Sequence, residues 1–579
     1  MASTDTGRLA SPDAPPPTGI TWRGTLLLGL ATLLGAGMVL SVMAPEFPMD
    51  DSYIHFQYAK NFAATGRMEF NLDEFRGLGT TSLLWVLLLA GGIKLGITPE
   101  TGALFLGIMS VLVCALCVHE LVLATFRRTL PRHAEDMALG TGLLCALSGN
   151  MLWFAVSGME TTLCLALALC SLVAYGRGRY GAMGIGIGLT ALCRPDGLAL
   201  LPAVFIAEVL RVRAGGRARW GGWALAAVLV AIPVGLWLVW LHGQTGHWRP
   251  TSFAGKRICQ LAAIDRFIEK VPWLGLYGGS AQALYVVLWV GYTLMYLFGV
   301  ATVPGPAMGF TSTVGTSVTV HLSYPGIALA ALVMVPLLVL GARELCRFWR
   351  AAGLRDFAQA AVVAVWTWAL FHNLAYLAML PTMGTTSRYQ AINHILIWWL
   401  VALGIGAIRP RRSLYVPALA ALCLVVACNL VYWRGTYEAN VAHMRQVRIA
   451  AARYLATELP PDARVAAFDI GALRYFGQRT IVDLGGLTDT EFTTYQKQRR
   501  VDRYLKDREV DYLALPEKHS TDPEALFDFA RYLGIDHTPM FDDRLLAEFE
   551  TDRDLWLRGM EATGNYQPAV RVRKVNWRQ

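Results

Sequence analysis

The chain has 579 residues, a formal net charge of +9, 55% hydrophobic residues and 16% charged ones. An ordinary soluble protein carries about 25% charged residues, and the mean hydropathy here is +0.41, which excludes a soluble cytosolic enzyme and disorder over most of the chain. Length alone suggests several domains; one polytopic membrane body plus one soluble domain accounts better for the long apolar blocks.

Residues 1–21 are polar and Pro-rich and read as a disordered cytoplasmic tail. The first apolar block, about 23–43, is long enough to span a bilayer, and no small-residue cleavage signature follows it, so it reads as an anchor. An acidic segment, 45–80, comes next, and residues 45–100 form a first outer loop. Further spans are expected at about 101–126, 137–157, 161–176, 180–194, 197–211 and 220–241, then at about 325–342, 358–376, 390–407 and 414–433. Between them lie arginine clusters such as Arg127, Arg128 and Arg132, or Arg211, Arg213, Arg217 and Arg219. The positive-inside rule holds such loops in the cytoplasm, so the basic excess reports topology rather than nucleic-acid binding. A crossing at 80–97 would move every later cluster to the wrong side. That stretch therefore reads as a helix lying in or dipping into the outer leaflet, and 281–303 as re-entrant or half of a hairpin. The expectation is a mainly α polytopic membrane protein of about 11 spans over 22–433, with the N-terminus cytoplasmic.

After Trp433 the composition changes. Residues 434–579 are rich in charge and alternate short apolar strands (Arg464–Phe468, Thr480–Leu484, Val510–Leu515) with helical patterns such as Thr493–Asp507, the mark of a soluble α/β domain on the outer side. None of the ten cysteines follows Cys428, so disulfides do not hold this domain together. Cys114 and Cys117 form a C-x-x-C pair without a second pair or a histidine set, which favours helix packing over metal binding.

The strongest chemical feature is Met49-Asp50-Asp51-Ser52-Tyr53-Ile54-His55-Phe56, just beyond the first span. Two adjacent carboxylates at a membrane surface repel one another, and desolvation makes ionising both costly, which suits general-base work or metal binding. An N-cap on the helix expected at 52–65 would explain one aspartate, not two. Other polar sets fall at outer ends of spans: Ser157-Gly158-Met159-Glu160, Arg194-Pro195-Asp196-Gly197, His247 to Lys256, and Thr385-Thr386-Ser387-Arg388-Tyr389. Outward arginines run against the charge bias and need a reason, such as a phosphate. His55, His119, His372 and His394 show no zinc-type spacing. There is no Walker A loop and no dinucleotide-binding glycine motif. An outward-facing enzyme cannot count on nucleotide sugars, so its activated donor would arrive in the membrane as a lipid phosphate. Such a transferase needs a base, cations for the departing phosphate and an apolar groove.

At these residues the sequence resembles the GT-C fold, polyprenyl-phosphate-sugar-dependent glycosyltransferases, in particular the bacterial branch that contains the mycobacterial terminal arabinofuranosyltransferase. The resemblance rests on Asp50-Asp51-Ser-Tyr-Ile with Tyr58-Ala59-Lys60-Asn61, on Phe70-Asn71, on Gly79-Thr80-Thr81-Ser82-Leu83-Leu84-Trp85, and on the Ser157–Glu160 and Arg194–Gly197 sets. Asp469-Ile470-Gly471-Ala472 and Val482-Asp483-Leu484-Gly485-Gly486-Leu487 resemble the soluble domain of many members. Gln57 stands where the family commonly has arginine and Leu83 where it has proline; the insertion around 281–322 has no counterpart.

The resemblance implies an enzyme of the bacterial inner membrane that moves a sugar from a polyprenyl phosphate to an extracytoplasmic glycan or glycoconjugate acceptor. Asp51 is the expected principal catalytic carboxylate, with Asp50 assisting it or binding a divalent cation (Mg, Mn or Ca). Glu160 is expected to orient hydroxyls, and Arg194 and Arg388 to hold the phosphate, with Lys256 as a weaker candidate for that role. His55, Asp196 and Tyr389 complete the expected substrate-binding set. The competing readings are a transporter or flippase of lipid-linked sugars and a non-catalytic assembly factor.

Overall fold

The computed structural model describes residues 20–40, 46–72, 74–248, 307–312, 318–351, 353–379, 385–517, 541–551 and 569–577. The expected tail, the 281–303 stretch and Lys256 lie outside them.

Helix α1 (Trp22–Leu40) buries Leu28, Thr32, Gly35, Ala36 and Val39 along one stripe and leaves Leu26, Leu27, Leu30, Leu33 and Leu34 exposed. A helix with leucines on its open face belongs in lipid. After α2 (Asp50–Thr65) comes α3 (Leu83–Lys94), 12 residues long. At 1.5 Å per residue it reaches about 18 Å, too short to cross the hydrocarbon core. Helix α4 (Pro99–Thr129) carries clear end signals: Thr98 caps its N-terminus, Pro99 and Glu100 fill the first turn, and Arg127 and Arg128 the last.

The expected span at 137–157 is two pieces, α5 (Ala134–Ala146) and α6 (Gly149–Val156), bent by 50°. The amide of Gly149 at the break donates to the Asn429 side chain at 2.7 Å. Next come α7 (Thr161–Gly176), α8 (Tyr180–Cys193), a 3₁₀ turn at Pro195–Ala199, α9 (Leu200–Arg213) and α10 (Trp220–Thr245). The insertion carries an antiparallel hairpin, β1 (Ala307–Ser312) with β2 (Val318–Ser323). The second group is α11 (Tyr324–Ala351), α12 (Phe357–Met379), α13 (Ala391–Ile408) and α14 (Arg412–His443).

Among the described residues six helices are long and apolar enough to cross a membrane, or seven if the bent pair counts as one span; α7 and α8 are apolar but shorter. The protein is thus a multi-pass membrane protein. Helices α11 and α13 meet backbone to backbone: a Cβ at Gly341 would overlap the Leu400 carbonyl, and one at Gly404 the Leu337 carbonyl. Small residues permit such contact where lipid supplies no hydrophobic drive between helices.

The helix does not end where the composition changes. From α14 it runs through one π-helical turn (Met444–Ile449) into α15 (Ala450–Glu458), 47 residues in all. That length, about 70 Å, is more than twice the hydrocarbon thickness. Beyond it lies a five-stranded sheet in the order β4-β3-β5-β7-β6. Strands β3 (Arg464–Ala467), β4 (Thr480–Asp483) and β5 (Tyr512–Glu517) are parallel and match the three expected strands. Helix α16 (Gly471–Gly477) makes the crossover between β3 and β4. Strands β6 (Phe541–Glu550) and β7 (Ala569–Trp577) add an antiparallel edge. The expected helix at 493–507 is divided into α17 (Phe492–Lys497) and α18 (Val501–Asp507), with Arg499 at a left-handed φ of 54° between them.

One apolar core runs through both parts. It contains Phe47, Tyr53 and Phe56 of the first loop, Trp85 and Leu89 of α3, and Val465, Ile470 and Leu473 of the sheet domain.

Candidate functional site

The first turn of α2, the hairpin before α7, the turn before α9, the end of α12 and the turn before α13 converge on a cavity of about 480 Å³. Ser52 Oγ donates to the Ser157 carbonyl at 2.6 Å and ties α2 to the hairpin. Gly158 makes that approach possible: its φ is +79°, and a Cβ there would meet Phe47 and Ser52. The cavity is lined on its polar side by Asp51, His55, Thr81, Glu160, Arg194, Asp196, Tyr376, Arg388 and Tyr389. Ala199, Pro202, Phe371 and Ala375, from the α9 and α12 sides, give an apolar wall, and Leu487 of the sheet domain covers it.

The two arginines are held differently. Arg194 is spent on the protein itself: Nη1 donates to Glu160 Oε1 at 3.0 Å, Nε to Asp196 Oδ1 at 3.1 Å, and Nη2 to the Tyr376 hydroxyl. Tyr376 in turn donates to Asp196 Oδ2 at 3.0 Å. Arg388 Nη2 donates to Asp51 Oδ2 at 2.6 Å, Nη1 lies 3.7 Å from the Met49 sulfur, and Nε has no hydrogen-bond partner among the described residues. Both guanidiniums lie over the Tyr389 ring, at 4.6 and 5.2 Å from its centroid, and Tyr376 stacks on that ring at 5.0 Å. Ser387, which aims Arg388, holds a left-handed φ of 58°, a conformation costing a non-glycine residue about 1–2 kcal/mol.

Glu160 is almost fully buried. Its Oε2 has no hydrogen-bond partner among the described residues and lies 3.7 Å from His55 Nε2. The other nitrogen of His55 pairs with Thr80 Oγ1 at 3.0 Å. Asp51 keeps 31% of its side chain exposed, against 5% for Arg388. The arrangement is a partly open carboxylate, a cation with donors to spare, and a buried carboxylate oxygen, all beside an apolar wall.

Asp50 lies elsewhere. It does not line the cavity, and both of its oxygens accept backbone N–H groups, from Gly471 at 2.7 Å and Ala472 at 2.8 Å. It caps α16 in the sheet domain instead of its own helix, whose N-cap is Met49. Burial pushes its carboxyl up to about 7; Asp469 adds to this, while Arg448 and the two N–H groups oppose it. A cation at Asp50 would have to displace those N–H groups, and among the described residues no three acids, histidines or cysteines gather to help hold one. These residues do not fit the expected metal site.

Asp51, His55, Glu160, Arg194, Asp196, Arg388 and Tyr389 thus meet in one cavity. His372 and Tyr376 of α12 and Leu487 were not anticipated. His372 Nε2 bonds the Tyr389 carbonyl at 2.7 Å, and Nδ1 lies 3.5 Å from Asp196. The usable signal was three polar residues, His372, Asn373 and Tyr376, within five positions of an apolar span. Leu487 is placed by Asp483, whose buried carboxylate accepts from the amides of Gly485, Leu487 and Thr488; burial raises that carboxyl to about 6.

Residues 437–567 match the family model of a domain of unknown function (DUF8728). No curated protein matches the chain. Among solved structures, the oligosaccharyltransferase of Archaeoglobus fulgidus in the apo form is similar with a TM-score of 0.50 at 15% identity, covering 85% of this chain and 69% of that one. The same organism's AglB with an inhibitory peptide and a dolichol-phosphate gives 0.49 at 14%, covering 86% and 69%. ArnT of Cupriavidus metallidurans bound to undecaprenyl phosphate gives 0.40 at 14%, covering 96% and 98%. The likeness to the apo oligosaccharyltransferase, with the apolar helices and the C-terminal sheet, shows the fold: a GT-C-type helical membrane bundle carrying a small α/β domain.

Proposed function

We propose that the protein is a glycosyltransferase that moves a sugar from a polyprenyl phosphate to a hydroxyl of an extracytoplasmic glycan or glycoconjugate, as the resemblance to the arabinofuranosyltransferase-containing branch implies. The supporting observation is the cavity itself, where Asp51 and Arg388 sit side by side against an apolar wall. Asp51 takes the proton of the acceptor hydroxyl. The oxygen attacks the anomeric carbon, the bond from that carbon to the phosphate oxygen breaks, and the polyprenyl phosphate leaves with the bonding electrons. Arg388 holds it, because its Nε makes no hydrogen bond among the described residues, whereas all three nitrogens of Arg194 are bonded to the protein. Arg194 fixes Glu160 and Asp196, and the second oxygen of Glu160 accepts a sugar hydroxyl beside His55.

The test is release of free polyprenyl phosphate by the protein in lipid nanodiscs, with a panel of polyprenyl-phosphate sugars and a mixed envelope extract as acceptor. Asp51→Asn should lower release from the productive donor by about 10²–10⁴-fold while the variant stays folded. Equal release by parent and variant would remove Asp51 as the base, and no release from any donor would count against the transferase.

A further inference from the structure

Asp50 is the half of the first-loop pair to which the transfer gives no task, yet it is nearly buried and fully bonded. Its two oxygens hold the first two amides of α16, and the fit is close: a Cβ on Gly471 would overlap the Asp50 carbonyl. Next to this contact Arg448, fully buried in the π-helical turn of the long helix, donates to Asp469 at 2.6 and 3.0 Å and bonds His443 at 2.7 Å. Single π-helical turns recur at functional sites. One helical turn further along α2, Tyr53 packs against Tyr475 and Phe476 of α16.

Successive residues of an α-helix point about 100° apart. Two adjacent aspartates therefore face different surroundings, one the sheet domain and the other the cavity. We propose that Asp50 is a positioning residue: its two side-chain oxygens fasten the first turn of α2 to the start of α16, so that the docked C-terminal domain, together with the Ser52 and Arg388 contacts, holds Asp51 at the cavity. The domain that carries Leu487 over the cavity is then also part of what sets the reach of the base. What Asp51 does rests on the transferase reading; how it is held does not.

The test is amide hydrogen exchange on the full chain in nanodiscs for the parent, Asp50→Asn, Gly471→Ala and the double variant. Asparagine would turn an NH2 toward one of the two N–H donors, and alanine would push the Asp50 carbonyl away. Either change should speed exchange in both 50–65 and 471–477 by about tenfold or more, with 391–408 unchanged. The double variant should be no faster than the worse single one, because both break the same contact. In the release assay both single variants should lower kcat at unchanged donor KM. Gly471→Ala leaves the carboxylate in place and keeps the test open if Asp50→Asn does not accumulate. Parent-like exchange in Asp50→Asn with release lost would overturn the proposal and make Asp50 a reagent. Faster exchange with unchanged kcat would overturn it too. If the parent releases nothing from any donor, the transferase reading fails, while the exchange pattern still decides whether the contact fastens the two parts.

Discussion

Arg194→Met tests the division of labour between the two arginines. Methionine keeps most of the side chain's length and loses the charge. The guanidinium side chain is 11% exposed and faces Glu160 and Asp196, which are 3% and 18% exposed. Removing one partner of a buried ion pair costs about 3–5 kcal/mol, because the other charge is left without compensation. Three bonds to charged or polar partners, at about 1.5–3 kcal/mol each, would add up to more. The loss is smaller here, because Asp196 keeps the Tyr376 hydroxyl at 3.0 Å and Glu160 still faces His55 at 3.7 Å. The lower end, about 3 kcal/mol, is therefore expected. A change of 1 kcal/mol moves Tm by about 2 °C in a large domain, so thermal unfolding in nanodiscs should show a fall of about 6 °C. Adding Glu160→Gln removes one uncompensated carboxylate and should recover part of it. An unchanged Tm together with a large rise in donor KM would refute the reasoning and make Arg194 a phosphate ligand.

Arg388→Lys keeps the charge but loses the planar fork, and donor KM should rise about tenfold or more with little change in Tm; an unchanged KM would place the phosphate elsewhere. The Asp50 carboxyl, raised from 3.8 to about 7, stays protonated in the folded protein over a range where the unfolded chain has lost that proton. Its contribution to stability is complete below about pH 4 and is lost as the pH rises through 7. The stability of the parent relative to Asp50→Asn should accordingly shrink between pH 5 and 8; growth over that interval would contradict the burial of this group. Gly404→Val forces a branched side chain against the Leu337 carbonyl, beyond the about 1–3 kcal/mol of ordinary overpacking, and should abolish the monodisperse peak in size-exclusion chromatography.

Much of the site was legible before the structure because each polar set sat at the end of an apolar block, where a bilayer tolerates charge. Hydropathy placed Asp51, Glu160, Arg194 and Arg388 near one surface. It could not say that Arg194 is spent on Glu160, Asp196 and Tyr376, since those bonds join α8, α7 and α12. Tyr376 and His372 were hidden because a span with a few polar residues reads like any other span. The partner of Asp50 lies 421 residues away, so local spacing offered a metal or an N-cap when the answer was the cap of another helix. In the C-terminal part β3, β4 and β5 were legible as short apolar stretches set in a charged sequence. The change of composition after Trp433 does not end the helix, whose backbone hydrogen bonds carry on to Glu458, because composition answers to the surroundings of the side chains and not to the backbone ladder.

The contact between α11 and α13 limits how the bundle can deform. Where carbonyls rest directly on glycines, at Gly341 and Gly404, no side chain is available to rotate aside. That seam can open only by moving two whole helices apart, with the loss of many contacts at once. The apolar wall of the cavity, by contrast, is built of side chains, those of Ala199, Pro202, Phe371 and Ala375. The two places thus differ in the means by which they can yield: displacement of whole helices at the glycine seam, a change of rotamer at the wall.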